Sequence, residues 1–472
     1  MSKQNETLWT WQALAEIFPD QSSLAADIHG ISIDSRSVNA GDLFIALAGD
    51  PGPRFSTSSQ SARDGHEFVD KAIANGAAAV MLSAAYFEKA QPEYPVLVVE
   101  DTLDGLWQLG ASARDRMTGT VVAITGSAGK TTARHWLEQL LIKQGSTHAS
   151  TGSLNNHWGV PVSLARMPSS SRYGVFEVGT NHPGEIAPLS LLTKPHVSIL
   201  LNVLPAHIGN FENLDAIRRE KLTITDGLEP DGVLIVPEAL NTLGTRASHI
   251  VTFGLQATAD VHLIGSDKST LVASVRGKEV SYTLNNAGEH RVLTSLAVLA
   301  AVDLMGADVA QAAADFSLLE APSGRGNQVS IACEPNAKTA SKTASNILVI
   351  DDSYNANSVS MSYAIDALAS TDGARTIALL GEMLELGDTS LTTHEQVAGH
   401  AAVLNDVITF GDGFSTCPGK SGHYGTVAEF DVDAFAKTLR AGDVLLVKGS
   451  NKVFWAHGFT KKLIEAIKKR FQ

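Results

Sequence analysis

With 472 residues, of which 44% are hydrophobic and 18% are charged, the chain has enough apolar side chains for several cores, and this composition excludes a mainly disordered protein. At roughly 150 residues per domain, the length predicts about three domains. The formal net charge of −14 argues against nucleic acid as a partner, because an acidic surface repels a phosphate backbone. We therefore expect anionic substrates to bind only in local pockets.

Three features predict a cytoplasmic protein with no stable membrane insertion. The two cysteines, Cys333 and Cys417, are too few for a disulfide framework and indicate a reducing compartment. The polar N-terminus lacks the apolar stretch of a signal peptide. The most apolar long run, Val292 to Ala314, is interrupted by Asp303 and Asp308, so we predict a buried alanine-rich helix there and not a membrane span.

The first hundred residues alternate β-like and helical runs, which predicts a small α/β domain over residues 1–105. The predicted strands are 43–47 and 96–99, and the predicted helices are 9–18 and 67–75. The segment from Asp50 to Arg63 contains two prolines and a cluster of Ser and Thr, and we predict an exposed loop for it.

A strand, a glycine-rich turn and a helix open the second region, which we predict to be a central α/β domain with a parallel sheet over residues 106–320. The predicted strands are 121–124, 174–178 and 197–203, and a helix at 131–143 follows the first of them. Residues 334–345 lack apolar periodicity and are predicted to form a loop or hairpin tip near the next domain boundary.

Four short apolar runs, separated by segments of helical length, predict a doubly wound, Rossmann-like third domain over residues 321–472. These runs are 347–350, 376–380, 407–410 and 444–447. The predicted fold class is therefore α/β, with three domains.

The strongest local signal is the segment Thr125-Gly126-Ser127-Ala128-Gly129-Lys130-Thr131-Thr132, which lies between a predicted strand and a predicted helix. Glycines allow backbone N–H groups to turn towards phosphate oxygens, Lys130 can neutralise the β and γ phosphates, and the Thr131 hydroxyl can bind Mg²⁺. A glycine-rich turn that only caps the helix is the alternative. Because strand, Gly-Lys-Thr and helix agree, we predict that residues 126–132 bind a nucleotide.

Glu177 ends a predicted strand at its carboxyl end, where open α/β sheets bind their ligands. Mg²⁺ prefers hard oxygen donors, so a carboxylate beside a phosphate-binding loop is a suitable second ligand for it. The alternative is an ordinary surface glutamate. We predict that Thr131 and Glu177 bind Mg²⁺.

The loop at 125–132 is shorter than the general P-loop pattern, and it resembles the loop of the Mur ligase family. Three further stretches agree with this resemblance and follow in the expected order. They are Asn155-Asn156-His157-Trp158-Gly159-Val160-Pro161, Phe176-Glu177-Val178-Gly179-Thr180-Asn181-His182-Pro183-Gly184-Glu185-Ile186 and Asp351-Asp352-Ser353-Tyr354-Asn355-Ala356-Asn357. The resemblance implies an ATP-dependent amide ligase of peptidoglycan synthesis, which joins D-alanyl-D-alanine to UDP-N-acetylmuramoyl-tripeptide through an acyl phosphate. It also implies a UDP-binding first domain and a third domain that binds the dipeptide.

The resemblance adds two residues to the metal site, which would then hold two Mg²⁺ ions. His207 follows the next predicted strand, and the resemblance implies that it binds the second ion; its chemistry alone leaves this open, since imidazole is not a preferred Mg²⁺ ligand. The polar residues around Lys221 would by themselves predict a solvated lysine on a helix. The resemblance implies that it is carbamylated and so supports the second ion as an anion, which arginine could not do.

The resemblance also implies that side chains of the third domain complete the active-site cleft. Asp352 and Tyr354 are expected near ATP, and Asn355 and Asn357 near the dipeptide, although acids and amides at a strand end also make ordinary turns. Two basic residues are expected to meet anions, Arg325 at the phosphates and Lys448 at anionic substrate groups.

The remaining implied contacts involve the substrate and the adenine. Ser35 and Arg36 belong to a stretch that resembles the family segment for the UDP group, and residues 64–68 resemble a second family segment at the same group. Substrate binding is therefore expected from Ser35 and Arg36. It is also expected from Asn155 and Asn156. His290 is expected at the adenine.

The chain also departs from the family pattern in three places. Arg291 and Thr294 stand near His290 where the family has asparagines, and Ser358 replaces a proline after Asn357. The predicted loop at 50–63 is longer than usual, which changes the expected uridine pocket.

Other functions remain open at this point. A sibling ligase with a single amino acid as acceptor, or a folylpolyglutamate-type synthetase, would use the same fold. A nucleotide-driven switch is a more distant class, but it has no need of Glu177, His207 and Lys221 together, and the sequence lacks an Asn-Lys-x-Asp guanine-reading motif. We expect a monomer.

Overall fold

Three β-sheets, one after another along the chain, organise the computed structural model. The residues that the structure describes are 6–19, 24–49, 63–206, 208–267, 269–284, 288–333, 346–371 and 373–471. Parallel strands dominate all three sheets, and helices connect them, so the predicted α/β class with three domains is confirmed.

The first sheet has four parallel strands in the order β1-β2-β3-β4. The elements are α1 (Trp11–Ile17), β1 (Gly30–Ser32), β2 (Asp42–Ile45), α2 (Val69–Ala74), β3 (Ala79–Ser83), α3 (Ala84–Ala90), β4 (Val96–Val99) and α4 (Thr102–Arg116). The strands and helices predicted for this region are confirmed within a few residues at each end. The predicted loop at 50–63 lies, except for its last residue, outside the described residues.

The second sheet has nine strands in the order β13-β12-β11-β10-β9-β8-β5-β7-β6. The elements are β5 (Thr120–Thr125), α5 (Lys130–Leu141), β6 (Thr147–Ala149), α6 (Gly159–Ala165), β7 (Tyr173–Glu177), α7 (Ile186–Thr193), β8 (Val197–Leu200), α8 (Leu214–Leu222), β9 (Val233–Pro237), β10 (His249–Gly254), β11 (Val261–Asp267), β12 (Thr270–Val275), β13 (Lys278–Thr283), α9 (Glu289–Leu304) and α10 (Val309–Asp315). Because β5 lies between β7 and β8, the segment after β5 lies beside the end of β7, where Glu177 ends its strand.

The far edge of this sheet is antiparallel, which the sequence analysis did not predict. Strand β12 pairs antiparallel with both β11 and β13. The turn between β12 and β13 is Arg276-Gly277, and both residues have positive φ angles, 49° and 85°. Two positive φ angles are typical of the two-residue turns that match the twist of a hairpin.

The predicted single helix at 292–314 is wrong in one respect, because the structure has two helices there, α9 and α10. Gly306, with a φ of +70°, turns the chain after α9. The Asp308 side chain then accepts hydrogen bonds from the N–H groups of Ala310 and Gln311 and begins α10. Of the helices within the described ranges, none has both the length and the apolar character needed to cross a membrane.

The third sheet has six strands in the order β14-β15-β19-β16-β17-β18, and only β14 is antiparallel. The elements are β14 (Asn327–Ala332), β15 (Asn346–Asp352), α11 (Ser358–Ala369), β16 (Arg375–Gly381), α12 (Ser390–His400), β17 (Asp406–Phe410), β18 (Gly422–Tyr424), α13 (Val432–Thr438), β19 (Asp443–Lys448) and α14 (Phe459–Phe471). All four predicted strands are confirmed. The loop predicted at 334–345 lies outside the described residues.

Helix α4 joins the first two domains, and the predicted boundary between residues 105 and 106 falls inside it. The helix packs against α6, and one hydrophobic cluster includes side chains from both domains. Trp107 on α4 donates a hydrogen bond to the backbone oxygen of His157 at 2.9 Å, and Trp9 donates to that of Ala165 at 3.0 Å. The first two domains are therefore held together by a continuous core.

Replacing Arg116 by alanine is expected to destabilise this junction. The Arg116 guanidinium lies 3.4 Å from the centre of the Trp9 ring and donates to the backbone oxygens of Leu8 and Met167. Its loss leaves these carbonyl groups without their donor, so we expect the free energy of unfolding to fall by about 1–3 kcal/mol. Urea unfolding of Arg116→Ala and of the wild type measures this change in the free energy of unfolding. Arg246→Ala, which alters an exposed arginine, is the control, and equal stability of the two variants would contradict the account.

Candidate active site

The segment between β5 and α5 has the backbone geometry and the charge that would suit an anion. Gly129 has a φ of +83°, a left-handed conformation that suits glycine, and the helix begins directly after it. The first N–H groups of a helix have no partner within the helix and attract negative charge. The Lys130 amine bends back over the loop and donates to the backbone oxygen of Gly126 at 2.7 Å. The predicted strand, loop and helix are thus confirmed as structure.

Asn202, which the sequence analysis did not identify, fixes this loop from the neighbouring strand. It follows β8, and its side-chain oxygen accepts from the N–H of Ala128 at 2.9 Å while its amide donates to the oxygen of Ala128 at 3.1 Å. Ser127 is held in a similar way, because its hydroxyl exchanges two hydrogen bonds with the backbone of Leu204. The sequence signal for Asn202 was an amide near the end of the predicted strand at 197–203.

Glu177 lies beside the start of α5 and is only 2% exposed. One carboxylate oxygen accepts from the Thr131 hydroxyl at 2.8 Å and the other accepts from the Asn155 amide at 2.7 Å. Hydroxyl and carboxylate oxygens are the donors that Mg²⁺ prefers, so this pair fits the predicted ion. No three His, Cys, Asp or Glu side chains of the described residues lie close enough to hold a metal alone, so phosphate oxygens would have to supply further ligands.

Lys221 lies on α8 and is 4% exposed, in contrast to the solvated lysine that its composition suggested. Burial lowers the pKa of its amine to about 7, and the positive charge of Lys130 acts in the same direction. A large fraction of this amine is therefore neutral near neutral pH, which is the form that can react with CO₂. His207, the other residue of the predicted metal site, lies outside the described residues.

A turn of the third domain carries Arg325 to the same place. The Arg325 guanidinium lies 4.3 Å from the centre of the Tyr354 ring, and both residues line the cavity that Lys130 lines. Burial lowers the pKa of Lys130, and the charge of Arg325 adds to this effect, while Glu177 opposes it. Gly324 has no room for a side chain, because a Cβ atom would lie 2.7 Å from the Trp455 ring.

Lys448 ends β19 and is 2% exposed. Its amine donates to a carboxylate oxygen of Asp352 at 2.7 Å and to the backbone oxygen of Asn355 at 3.1 Å. In this arrangement its charge is therefore neutralised by Asp352. Its predicted contact with an anionic substrate group stays a prediction.

Two contacts close the third domain against the second. The hydroxyl groups of Ser153 and Tyr354 are 2.5 Å apart. The rings of His290, on α9, and Tyr363, on α11, are stacked with their centres 5.2 Å apart. Burial lowers the pKa of His290 to about 4, with the charge of Arg291 adding to the effect, so this ring is uncharged at neutral pH. The two domains enclose a cavity of about 600 Å³ between them.

The cavity brings together most of the predicted site residues. Those that line it are Ser127, Ala128, Gly129, Lys130, Thr131, Thr132, Asn155, Glu177, His290, Arg325, Asp352, Tyr354, Asn355, Asn357 and Lys448. Side chains that sequence reasoning missed also line it, namely Ser153, Asn202, Tyr363 and Glu385. Two domains therefore contribute polar groups to one enclosed space.

Three predicted asparagines also have local structural roles. Asn156 accepts from the N–H of Gly159 at the start of α6 and does not line the cavity. Asn357 caps α11 by accepting from the N–H of Ser360, and Ser358 is the first residue of this helix. Proline is favoured at such a first position, so its replacement by serine leaves the cap intact. Asn355 accepts from the N–H of Ala356.

Ser35 and Arg36 lie apart from the cavity, in the turn that follows β1. Ser35 is buried, whereas Arg36 is exposed and pairs with Asp34 at 2.7 Å, which lowers the pKa of Asp34. His66, from the companion segment, accepts from the N–H of Ser83 at the end of β3. These groups therefore lie at the carboxyl edge of the first sheet.

Replacing Tyr354 by phenylalanine is expected to lower kcat/KM for the nucleotide that the sequence predicts by about 3- to 10-fold, since one neutral hydrogen bond contributes about 0.5–1.5 kcal/mol. The variant keeps the ring against Arg325 but loses the hydrogen bond to Ser153. Steady-state kinetics test this, with Tyr424→Phe as the control, because Tyr424 stacks on Phe410 in the same domain. An equal effect of both substitutions would contradict the role of the contact.

Comparison with known proteins agrees with this architecture. Three family models match in order: the Mur ligase family catalytic domain at residues 27–112, the Mur ligase middle domain at 124–302 and the Mur ligase glutamate ligase domain at 339–451. The UDP-N-acetylmuramoyl-tripeptide--D-alanyl-D-alanine ligase of Bacillus subtilis is 31% identical over 78% of this chain and 76% of its own length.

Two solved structures are similar over almost the whole chain. MurF from Acinetobacter baumannii has 29% identity and a TM-score of 0.80, covering 97% of this chain and 99% of its own. MurF ligase from Thermotoga maritima, solved in complex with ADP, has 26% identity and a TM-score of 0.74, covering 93% and 98%.

Proposed function

The chain belongs to the Mur ligase family of ATP-dependent ligases, and we propose that it joins D-alanyl-D-alanine to UDP-N-acetylmuramoyl-tripeptide and forms ADP and phosphate. The observation that carries this proposal is the cavity itself. It is lined on one side by the anion-binding loop around Lys130 and on the other by Arg325, Asp352 and Lys448 of the third domain. Such a space can hold the phosphates of ATP against a second substrate.

The chemical problem is that a carboxylate is a poor electrophile for an amine. In the proposed reaction, the terminal carboxylate of the tripeptide attacks the γ phosphate of ATP, and ADP leaves. The amine of the dipeptide then attacks the acyl carbon, phosphate leaves with the C–O bond electrons, and the amine gives up a proton. The product is UDP-N-acetylmuramoyl-pentapeptide.

The side chains of this protein would assist the phosphoryl transfer by neutralising charge. We assign Lys130 to the β and γ phosphates, since it is the first residue of α5 and its amine lies over the loop, where it donates to the oxygen of Gly126. Arg325 approaches from the third domain, where it would stabilise charge that spreads over the transferring oxygens. Closure through Ser153 and Tyr354 would exclude water, which protects an acyl phosphate from hydrolysis.

We assign the Mg²⁺ of the reaction to Thr131 and Glu177, with a second ion supported by His207 and carbamylated Lys221. Mg²⁺ supplies Lewis-acid neutralisation of phosphate oxygens when it is bound. The fit rests on the paired hydroxyl and carboxylate and on the buried amine of Lys221, whose pKa burial lowers to about 7. Asn155 keeps the Glu177 carboxylate in place through its hydrogen bond.

The remaining assignments divide the substrates among the domains. The first domain would bind the UDP group through Ser35 and Arg36, and the third would bind the dipeptide near Asn355, Asn357 and Lys448. His290 and Tyr363 would face the adenine. We further propose a cytoplasmic protein, since both cysteines are unpaired, and a monomer, as the sequence analysis expects.

A panel of acceptors tests the function. Phosphate release from ATP is measured with UDP-N-acetylmuramoyl-tripeptide and either D-alanyl-D-alanine or single amino acids. We expect phosphate and a pentapeptide product only with the dipeptide. Release with a single amino acid would assign a sibling activity to the same site. ATP hydrolysis that is indifferent to every acceptor would contradict the ligase and favour a nucleotide switch.

A further inference from the structure

The cavity wall after Glu177 is a loop, residues 179–186, whose shape depends on two carboxylates. Gly179, Thr180 and Asn181 line the cavity. Within the loop, one oxygen of Glu185 accepts from the N–H groups of Asn181 and His182 at 2.7 and 3.1 Å, and from the Thr180 hydroxyl at 3.2 Å. Glu185 therefore folds the first half of the 179–186 loop onto itself.

The second carboxylate comes from outside the loop, from Glu220 on α8. One of its oxygens accepts from the N–H of Gly184 at 2.7 Å, and the other accepts from the N–H of Ile186, the first residue of α7, at 2.9 Å. The side chain is 7% exposed. A negative charge at the start of a helix is favourable, because the helix dipole places partial positive charge there.

Glu220 and Lys221 are neighbours in the sequence but do not form an ion pair within the described residues, and both are buried. Consecutive residues of a helix point in different directions, so the Glu220 oxygens contact the loop and not the Lys221 amine, although the charge of Glu220 partly opposes the lowering of the Lys221 pKa. Helix α8 thus carries two adjacent residues with different roles. Lys221 lies near enough to Lys130 for their charges to interact, and Glu220 holds the 179–186 loop. Any shift of α8 would move both groups together.

We propose that Glu220 is a positioning residue for the ligase reaction, which couples the 179–186 loop of the cavity wall to the helix that carries Lys221. This inference rests on the proposed function for its activity readout. Glu220 does not line the cavity and acts through backbone N–H groups, so it is not a catalytic residue. Both of its oxygens must be acceptors for the coupling to persist.

The substitution Glu220→Gln separates this role from simple space filling. Glutamine has nearly the same size, but it offers only one acceptor oxygen and places an NH₂ group opposite the other backbone N–H. Glu220→Asp keeps both acceptors on a shorter side chain and should rescue part of the function. Asp215→Asn is the matched control, because Asp215 lies on the same helix, carries the same charge and is exposed.

We expect Glu220→Gln to lower kcat on the order of tenfold to a hundredfold, because small misplacements in an active site have effects of this size. The KM for ATP should stay within about threefold, since the residues around Lys130 are not contacted. Glu220→Asp should fall between Glu220→Gln and the wild type, and Asp215→Asn should match the wild type. A wild-type kcat in Glu220→Gln, or a loss that only follows its unfolded fraction in a thermal melt, would overturn the proposal.

Amide hydrogen exchange tests the positioning role of Glu220 without using ligase activity. It therefore distinguishes a failure of this role from a failure of the proposed function. We expect faster exchange at Gly184 and Ile186 in Glu220→Gln but not in Asp215→Asn, whichever acceptor the wild-type protein uses. Unchanged exchange at both amides would overturn the positioning role even if the ligase reaction is confirmed. If the wild type uses another acceptor, kcat is measured with that acceptor, so the two hypotheses fail independently.

Discussion

Replacing Lys130 by alanine is expected to lower kcat for ligation by about 10²–10³-fold, the usual effect of removing one preorganised donor at a developing charge. The Lys130 amine lies over the loop that begins α5 and donates to the oxygen of Gly126. It shares the cavity with Arg325, and burial together with this neighbouring charge lowers its pKa. Glu177 offsets part of this positive charge, and the proposed role of the two cations is to bind the phosphates of ATP.

Single-turnover phosphate release measures the effect, with Lys143→Ala as the control. Lys143 follows the C-terminal end of α5 and pairs with Asp315 at 2.8 Å, outside the cavity. We expect the control to retain full activity. If Lys130→Ala kept its activity within about threefold of wild type, the assignment of this loop to the phosphates would be wrong.

Replacing Lys221 by methionine is expected to abolish ligation and also to stabilise the protein. The folded-state pKa of about 7 lies below the ordinary value of 10.5, so the folded protein binds fewer protons than the unfolded chain between these values. Stability of the wild type therefore rises with pH from about 7 to about 10.5, and the cost of burying this amine is complete below pH 7. Methionine removes that cost.

Urea unfolding in buffer free of bicarbonate tests this second prediction. Lys221→Met should exceed the wild type by a few kcal/mol at pH 7, since one pKa unit corresponds to about 1.4 kcal/mol. The difference should shrink as pH rises towards 10. Lys221→Arg is the control, because it keeps the charge and cannot be carbamylated, so it should be inactive without the gain in stability.

A second arm tests the anionic role of Lys221 directly. Short-chain carboxylic acids should restore part of the activity of Lys221→Ala, because they can supply the missing anion. Full turnover of Lys221→Ala without any addition would contradict the carbamate. A stability of Lys221→Met that is equal to wild type at every pH would contradict the lowered pKa of the buried amine.

Elements that depend on local sequence were predictable. The strand, glycine-rich loop and helix around residues 121–143 are contiguous, and their apolar periodicity and glycines identify them without knowledge of the rest of the fold. The same is true of the third-domain strands. The run at 292–314 was harder, because its composition is helical throughout and only the turn at Gly306 divides it.

Contacts between distant segments were not predictable. Asn202 reaches the loop at Ala128 only because β8 is the neighbour of β5 in the sheet. The order of strands in a sheet cannot be predicted from local sequence. The pairs Ser153–Tyr354 and His290–Tyr363 depend on how the third domain closes on the second. The sequence analysis assigned no role to Glu220, because its contact with the start of α7 also joins distant segments.

The most direct test of the proposed chemistry uses UDP-N-acetylmuramoyl-tripeptide with ¹⁸O in its terminal carboxylate. If this carboxylate attacks the γ phosphate, one of its oxygens must leave with the phosphate when D-alanyl-D-alanine forms the amide. Mass spectrometry of the released phosphate should therefore detect one ¹⁸O atom for each pentapeptide formed. Phosphate without ¹⁸O, released together with pentapeptide, would contradict the acyl phosphate and with it the role assigned to the cavity.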